Sequence, residues 1–468
     1  MIHPTAKIID LGNKRHRVFD SDNIIRLINA VSQSLLKLPY QSNIAIVGVN
    51  SAEWIMTWLG IQQAGHIAIP INFRLPKEQF DFCLTHCNPA LIFCDTELKK
   101  LIPEHYRTVE LNQDFLNSLE SSSDPLPVFD SNRIAHIIYT SGSTNIPKGV
   151  VTDCNSRNSK MQHLSKIDKI VGRHMVSSPF YHVAGSGIID FLIRPNFALF
   201  LLPTFDPDTF SNAIKKFKIA AFNIVPGAMN KLLRYLQKTN SLPIDSVFGI
   251  TLVADRVRAN TVTEIKKYFP RAGIYNSYGM TELGGDIFVQ SHPRGLSVPP
   301  DSVGYPGSHV SLKLIDGILA VKSQIVFQKY YKTDHKDCFD NEGYFITNDI
   351  FYTDDNGFYY YVGRADNMIK INGEKLYPTE AEQIINNCPG IKDCAVLGLP
   401  DDMAGNRIYT FIVTDSTVPP VALQNFVAST APSHYIPKQV WELPELPLTA
   451  AGKTDYKELH RLALKFLN

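Results

Sequence analysis

Apolar positions in the first part of the chain come in short continuous runs separated by stretches of helical period. "NIAIVGV", "HIAIPIN" and "ALIFCD" have strand length and no polar interruption. Between the first two lies "AEWIMTWLGIQQAG", in which Trp54, Trp58 and Ile61 fall on one helical face, with Asn50 or Ser51 placed to cap its first turn. Between the second and third, "PKEQFDFCLTHC" puts Phe80, Cys83 and Cys87 on one face. Strand alternating with helix predicts an α/β fold with a largely parallel sheet. A polar run, "SLESSSDPLPVFDSNR", interrupts the pattern. It resumes with the apolar run "IAHIIY" and continues from "HMVSSPFYHVAG" to "AGIYNSYGMTE", with a helix predicted in "PDTFSNAIKKFK".

From "HPRGLSVPPDSVGYPG" the texture changes to short alternating strands such as "VSLKLIDGILAV" and "GFYYYVGR". We therefore expect a β-rich subdomain at about residues 300–364, closing a large N-terminal domain, residues 1–364. Past Arg364 the order is strand, helix ("TEAEQIINNC"), strand ("CAVLGLP"), strand ("RIYTFIV"), helix, which predicts a small α+β domain over residues 365–468.

Composition narrows the function classes. The 468 residues are 44% apolar and 19% charged, as in a globular protein rather than a disordered one. A net charge of +1 gives no electrostatic case for nucleic acid or an anionic membrane. The first residues lack a signal-peptide core, and the most apolar region, "GIIDFLIRPNFALFLLP", is broken by Asp190, Arg194 and Pro195. No membrane span and a cytoplasmic location are the expectations. Seven cysteines make no disulfide framework, and Cys83, His86 and Cys87 have no second pair nearby to complete a tetrahedral metal site. We expect these cysteines to pack a helix.

The chemistry concentrates after "IAHIIY". "YTSGSTNIPKG" holds four serines and threonines, two glycines and a lysine, with neither helical nor strand period. Such a loop can close backbone N–H groups, hydroxyls and a cation around phosphate oxygens. It is not a Walker loop, because Gly149 follows Lys148 and no glycine immediately precedes the lysine. Further on, "YNSYGMTE" combines a flat aromatic, a glycine, a hydroxyl and a carboxylate, a set suited to adenine, close backbone approach, a phosphate oxygen and Mg²⁺.

Together with "GYFITNDIFYTDDNGFYYYVGRADNMIKINGEKLYPTEAE" and "LPLTAAGKTDYKEL", these stretches resemble, in order, the signatures of the AMP-forming, adenylate-forming enzymes: acyl-CoA synthetases, aryl-CoA ligases, luciferases and peptide-synthetase adenylation domains. The stand-alone acyl- and aryl-CoA ligases are the most similar group. The resemblance implies that Thr140, Ser141, Gly142, Ser143, Thr144 and Lys148 hold ATP phosphates, and that Asn276, Tyr278, Gly279, Thr281 and Tyr361 complete the nucleotide site. It gives Asp349 and Arg364 the ribose, Glu282 the Mg²⁺ ion, Asp366 an interdomain hinge and Gly373 the path of a pantetheine arm. Lys453, Thr281 and His182 would act at the reacting groups, and Tyr181, His182, Ala254, Arg256 and Gly285 would line the acyl pocket.

The implied reaction is ATP-dependent conversion of a small, medium-chain or aryl carboxylic acid to an acyl-adenylate, followed by transfer to a thiol. Coenzyme A is the leading acceptor; the phosphopantetheine of an acyl or peptidyl carrier protein is the alternative. "SSPFYHVAGSG" has no carboxylate after Phe180, which disfavours an α-amino acid substrate. Two departures, Asn145 in the phosphate loop and "LVADRV" where the family has a Gly-Ala-Pro-rich run, leave a further reading: a nucleotide-binding protein with impaired catalysis.

Overall fold

The computed structural model describes residues 2–12, 16–119, 127–140, 146–165, 172–253, 259–333, 338–401, 403–414, 418–449 and 453–467. Two seven-stranded sheets form its larger part. One runs, edge to edge, through Lys329–Tyr330, Lys148–Asp153, Ile134–Thr140, Ile67–Pro70, Asn43–Val47, Leu91–Cys94 and Thr108–Glu110. The other runs through Gly273–Ser277, Gly249–Val253, Ala221–Ile224, Arg173–Val176, Ala198–Leu201, Lys7–Asp10 and Arg17–Asp20. The predicted parallel character holds for most pairs. The exceptions are the edge strand Arg17–Asp20 and the hairpin and edge around Lys148–Asp153.

Helix Ala52–Gln63 shows why these sequences fold together. Ser51 accepts a hydrogen bond from Trp54 N and caps the helix. Trp54, Trp58 and Ile61 are buried as predicted, and the two indoles stack at 5.3 Å. A Cβ at Gly60 would stand 2.6 Å from Val31 Cγ1, so the glycine is what lets helix Ser21–Leu35 pack this closely. Asn50 has a different task from capping. Its Nδ2 donates to Ser178 O at 2.9 Å and Leu202 O at 3.3 Å, and its Oδ1 accepts from Phe180 N at 2.9 Å. One buried amide thus fastens the turn after Asn43–Val47 to the segment that carries Tyr181 and His182.

The predicted β-rich region contains a four-stranded antiparallel sheet, Ser311–Ile315, Ile318–Lys322, Phe345–Thr353 and Tyr359–Arg364. Beyond Arg364, strands Ile391–Asp401, Gly405–Thr414 and Gln439–Glu442 make a small sheet packed by helices Pro378–Asn386, Pro420–Thr430 and Tyr456–Leu467. Apolar side chains from Ile369 onward form cores of their own. Cys83 and Cys87 are buried on the helix face shared with Phe80, and no cluster of three His, Cys, Asp or Glu side chains suited to a metal occurs among the described residues. Among the same residues no helix is long and apolar enough to cross a membrane.

Candidate active site

The candidate phosphate loop lies between the two strands of a hairpin. Thr140 closes one strand of a hairpin and Lys148 opens the other; they are direct cross-strand partners. Thr140 Oγ1 also donates to Lys148 O at 3.4 Å. Ser141, Gly142, Ser143, Thr144 and Asn145 lie outside the described residues, as do Ala254, Asp255 and Arg256.

Edge strand Lys329–Tyr330 pairs with Val150–Val151, which brings Tyr330 beside the lysine. Lys148 Nζ stands 5.2 Å from the centroid of the Tyr330 ring, within cation–π range. Tyr330 Oη donates to Glu282 Oε1 at 2.9 Å. Burial pushes the Glu282 carboxyl up, while the Tyr330 hydrogen bond and the charges of Arg364 and Lys148 hold it down. Lys148, the candidate phosphate-binding lysine, and the candidate Mg²⁺ carboxylate therefore share one neighbourhood. A lone carboxylate suits Mg²⁺, which takes few protein ligands and keeps phosphate oxygens and water for the rest.

The chain approaches Glu282 through a tight crossing. Strand Gly273–Ser277 ends beside Gly249–Val253, and Gly279 pairs with Asp286; a Cβ on Gly279 would overlap Gly285 O. Asn276 lies at the carboxyl end of that strand, and its carbonyl accepts from Gln290 Nε2 at 3.1 Å. Thr281 opens a short 3₁₀ turn, with Gly284 at φ 69° and Gly285 at φ 127° behind it. Such φ values favour glycine.

Asp349 and Arg364 are direct partners on adjacent strands. Their ion pair measures 3.4 Å, and Tyr278 Oη donates to the other Asp349 oxygen at 2.6 Å. Burial pushes the Asp349 carboxyl up; Arg364, Tyr278 and Lys453 oppose it. Tyr361 lies near Tyr278, ring centroids 6.1 Å apart. Arg364 also reaches Asp366 at 3.5 Å, so the predicted ribose pair and the predicted hinge are one charged chain.

His182 precedes the short helix Val183–Ser186. Among the described residues its buried Nε2 has no hydrogen-bond partner, and neither has Tyr181 Oη. Burial lowers the His182 pKa to about 4, with the charges of Lys453 and Arg74 acting in the same direction. The imidazole is neutral at neutral pH. Lys453 is exposed; its backbone is fixed by Thr449 N donating to Lys453 O at 2.7 Å and Lys453 N donating to Thr449 Oγ1 at 3.3 Å. Its charge is felt at both His182 and Asp349. Gly373 stands apart, at an exposed turn with φ 92° where an added methyl meets nothing within 4 Å.

Sequence reasoning missed Tyr330, Arg74, Arg157 and Lys160. Tyr330 acts through a two-residue edge strand with no apolar signature. Arg74 lies in the irregular stretch after Ile67–Pro70, and its charge acts on Tyr181 and His182. Arg157 and Lys160 belong to the polar helix Cys154–Ser165. Asp190, noticed only for interrupting an apolar run, is their buried partner.

The AMP-binding enzyme family model matches residues 25–331, and the AMP-binding enzyme C-terminal domain model matches residues 380–453. The chain belongs to the AMP-binding enzyme family. It is 26% identical over 423 residues to the 2-succinylbenzoate–CoA ligase of Listeria monocytogenes serotype 4b, covering 89% of this chain and 88% of that one. Its fold matches ATP-bound MatB from Rhodopseudomonas palustris at TM-score 0.86, with 21% identity over 98% of this chain and 96% of that chain. It also matches the o-succinylbenzoate CoA synthetase of Bacillus subtilis, in complex with its acyl-adenylate, at TM-score 0.81, with 21% identity over 98% and 95% of the two chains.

Proposed function

We propose that this AMP-binding enzyme is an AMP-forming acid–thiol ligase that makes an acyl-adenylate and passes the acyl group to coenzyme A. In the first step a carboxylate oxygen of the acid attacks the α-phosphorus of ATP. The new P–O bond forms as the bond to the β-phosphate oxygen breaks, and pyrophosphate leaves. In the second, the thiolate of coenzyme A attacks the acyl carbon and AMP leaves. The protein's task in both is positioning and charge stabilisation.

The observation that carries this reading is that the fold brings separate signatures together: Tyr278 and Arg364 meet on Asp349, and Tyr330 joins Glu282 to Lys148. Lys453, from the last signature, would be the cation that bridges the carboxylate and the α-phosphate; its charge acts on His182 and Asp349. Neutral His182, its Nε2 without a partner among the described residues, would sit against the incoming carboxylate without adding charge. Asp349, Arg364 and Tyr278 would hold the nucleoside, with Asn276, Gly279, Thr281 and Tyr361 around it. Lys148 and the loop from Thr140 would hold the departing phosphates. Glu282 would hold Mg²⁺, which neutralises phosphate charge when bound.

Coenzyme A is the acceptor we favour, because the relative matched over 88% of its length is a CoA ligase. We place the domain division at residues 364 and 365, with Asp366 as the hinge through which Lys453 leaves and the thiol path past Gly373 enters. A cytoplasmic location fits substrates of this kind. Acid-dependent pyrophosphate release followed by AMP formation on adding coenzyme A tests the reading. Release with no acid in a broad panel would reject it.

A further inference from the structure

Asn50 is 2% exposed, and both polar atoms of its side chain are engaged by backbone from a distant part of the chain. Its partners Ser178 O and Phe180 N flank Pro179, which has no N–H of its own. One amide therefore fixes the backbone on both sides of that proline. The turn that carries Asn50 is braced in its own right. Val49 N donates to Asp95 Oδ2 at 2.8 Å, and a Cβ on Gly48 would stand 2.9 Å from Asp95 Oδ1, so the glycine lets the carboxylate close on the turn.

The frame continues to His182. Pro179 O accepts from His182 N at 3.1 Å, and His182 O accepts from Gly185 N and Ser186 N, each at 2.9 Å. Both backbone groups of His182 are thus tied into its own segment. Its ring has less to hold it. Nε2 has no hydrogen-bond partner among the described residues, and the ring lies 4.8 Å from that of Tyr181, its chain neighbour. The place of the imidazole therefore follows from the backbone that carries it. Phe180 lies between the clamp and the histidine, and its ring packs on Trp54 at 5.1 Å, in the helix that follows Asn50. The turn at Asn50 so reaches this segment twice, by hydrogen bonds and by ring contact. Aspartate in its place would set an acceptor against two carbonyls, and alanine would remove all three hydrogen bonds.

We propose that Asn50 is a positioning residue for acid activation: by clamping the backbone at Ser178 and Phe180, it sets where the His182 imidazole meets the reacting carboxylate. This rests on the adenylation reading above. Asn50 does not touch the acid and acts through His182. A displacement of about 1 Å at a reacting group is enough to slow a reaction strongly. Loss of the clamp is therefore felt at the acid rather than at ATP, whose candidate ligands Asp349, Arg364 and Tyr278 hold one another.

The test compares the full chain with Asn50→Ala and Asn50→Ser, the second keeping a small polar group in case the first does not fold. Ser51→Ala is the control: it removes a helix cap next door without touching the clamp. Pyrophosphate release with ATP, Mg²⁺ and the best acid of a panel gives the kinetics. NMR of isotope-labelled histidine between about pH 8 and 5.5 gives the titration, with the His182 signal assigned by its loss in His182→Gln. In the wild type His182 stays neutral across this range, because burial lowers its pKa to about 4. In the Asn50 variants the ring gains water and begins to protonate, and kcat/KM for the acid falls about tenfold or more while KM for ATP is unchanged. Ser51→Ala moves neither. A wild-type titration or a wild-type kcat/KM for the acid in a folded Asn50 variant overturns the proposal, as does a Ser51→Ala variant that reproduces both effects. Pyrophosphate release supported by no acid in a broad panel rejects the adenylation reading and the claim on acid activation with it, while the titration still decides whether Asn50 places His182.

Discussion

Tyr330 gives the sharpest test at the scale of single residues. Its hydroxyl donates to the buried Glu282 carboxylate and its ring faces Lys148. Tyr330→Phe keeps the ring and removes the donor. A hydrogen bond to a charged group contributes about 1.5–3 kcal/mol, so the Mg²⁺ concentration for half-maximal activity should rise about tenfold or more. Titration of activity with Mg²⁺ checks this, and an unchanged midpoint would remove Tyr330 from the site. The contrast between Tyr330 and Glu282 shows what sequence can convey about a site. Glu282, Tyr278 and Gly279 sit within one signature, so their spacing announces them. Tyr330 meets Glu282 only because strand Lys329–Tyr330 docks at one register beside Val150–Val151, and no local pattern encodes that register. Lys160 is a comparable case. On a polar helix it looks like a solvated charge until Asp190 is brought to it from another segment.

At the scale of elements, the turn into helix Val183–Ser186 decides where His182 points. A Cβ on Gly185 would overlap Pro179 O, a backbone atom that cannot move aside cheaply. Gly185→Ala should therefore lower both thermal stability and kcat/KM, and calorimetry with steady-state assays reads the two together. Loss of neither would mean that the segment shifts freely. Ser51→Ala, by contrast, removes one helix cap. It should cost about 1 kcal/mol in urea unfolding and leave KM for ATP unchanged. The buried strands were legible as apolar runs because both faces are covered. The edge strands Arg17–Asp20 and Lys329–Tyr330 were not, since an edge is recruited by backbone hydrogen bonds and asks little of its side chains. Helix Cys154–Ser165 has no apolar stripe either, and "CNSRNSKMQHLS" predicts nothing by period.

At the scale of the whole molecule, several histidines are held neutral. Burial lowers His174 and His182 from 6.5 to about 4. Between those values the unfolded chain binds protons that the folded protein refuses. Stability is therefore complete above about pH 6.5 and falls as pH drops toward 4, by at most about 1.4 kcal/mol per pH unit for each such histidine. Urea midpoints measured across this range should decline with falling pH, and a flat profile would contradict the burial of these rings. That a small α+β part follows a large N-terminal one was legible as a change of texture along the chain. The effect of the Lys453 charge on His182 and Asp349 was not, because only the folded chain brings the last signature near the earlier ones. If Asp366 is the hinge of that arrangement, Asp366→Pro should leave adenylation running and stop thioester formation, because proline fixes φ near −65°. Equal loss of both steps would place the hinge elsewhere. The most direct test of the account concerns Lys453 itself. With the best acid from a panel, Lys453→Ala should abolish acid-dependent ATP–pyrophosphate exchange yet still convert supplied acyl-adenylate and coenzyme A to thioester at close to the wild-type rate; exchange that persists in the variant, or an equal loss of both half-reactions, would contradict it.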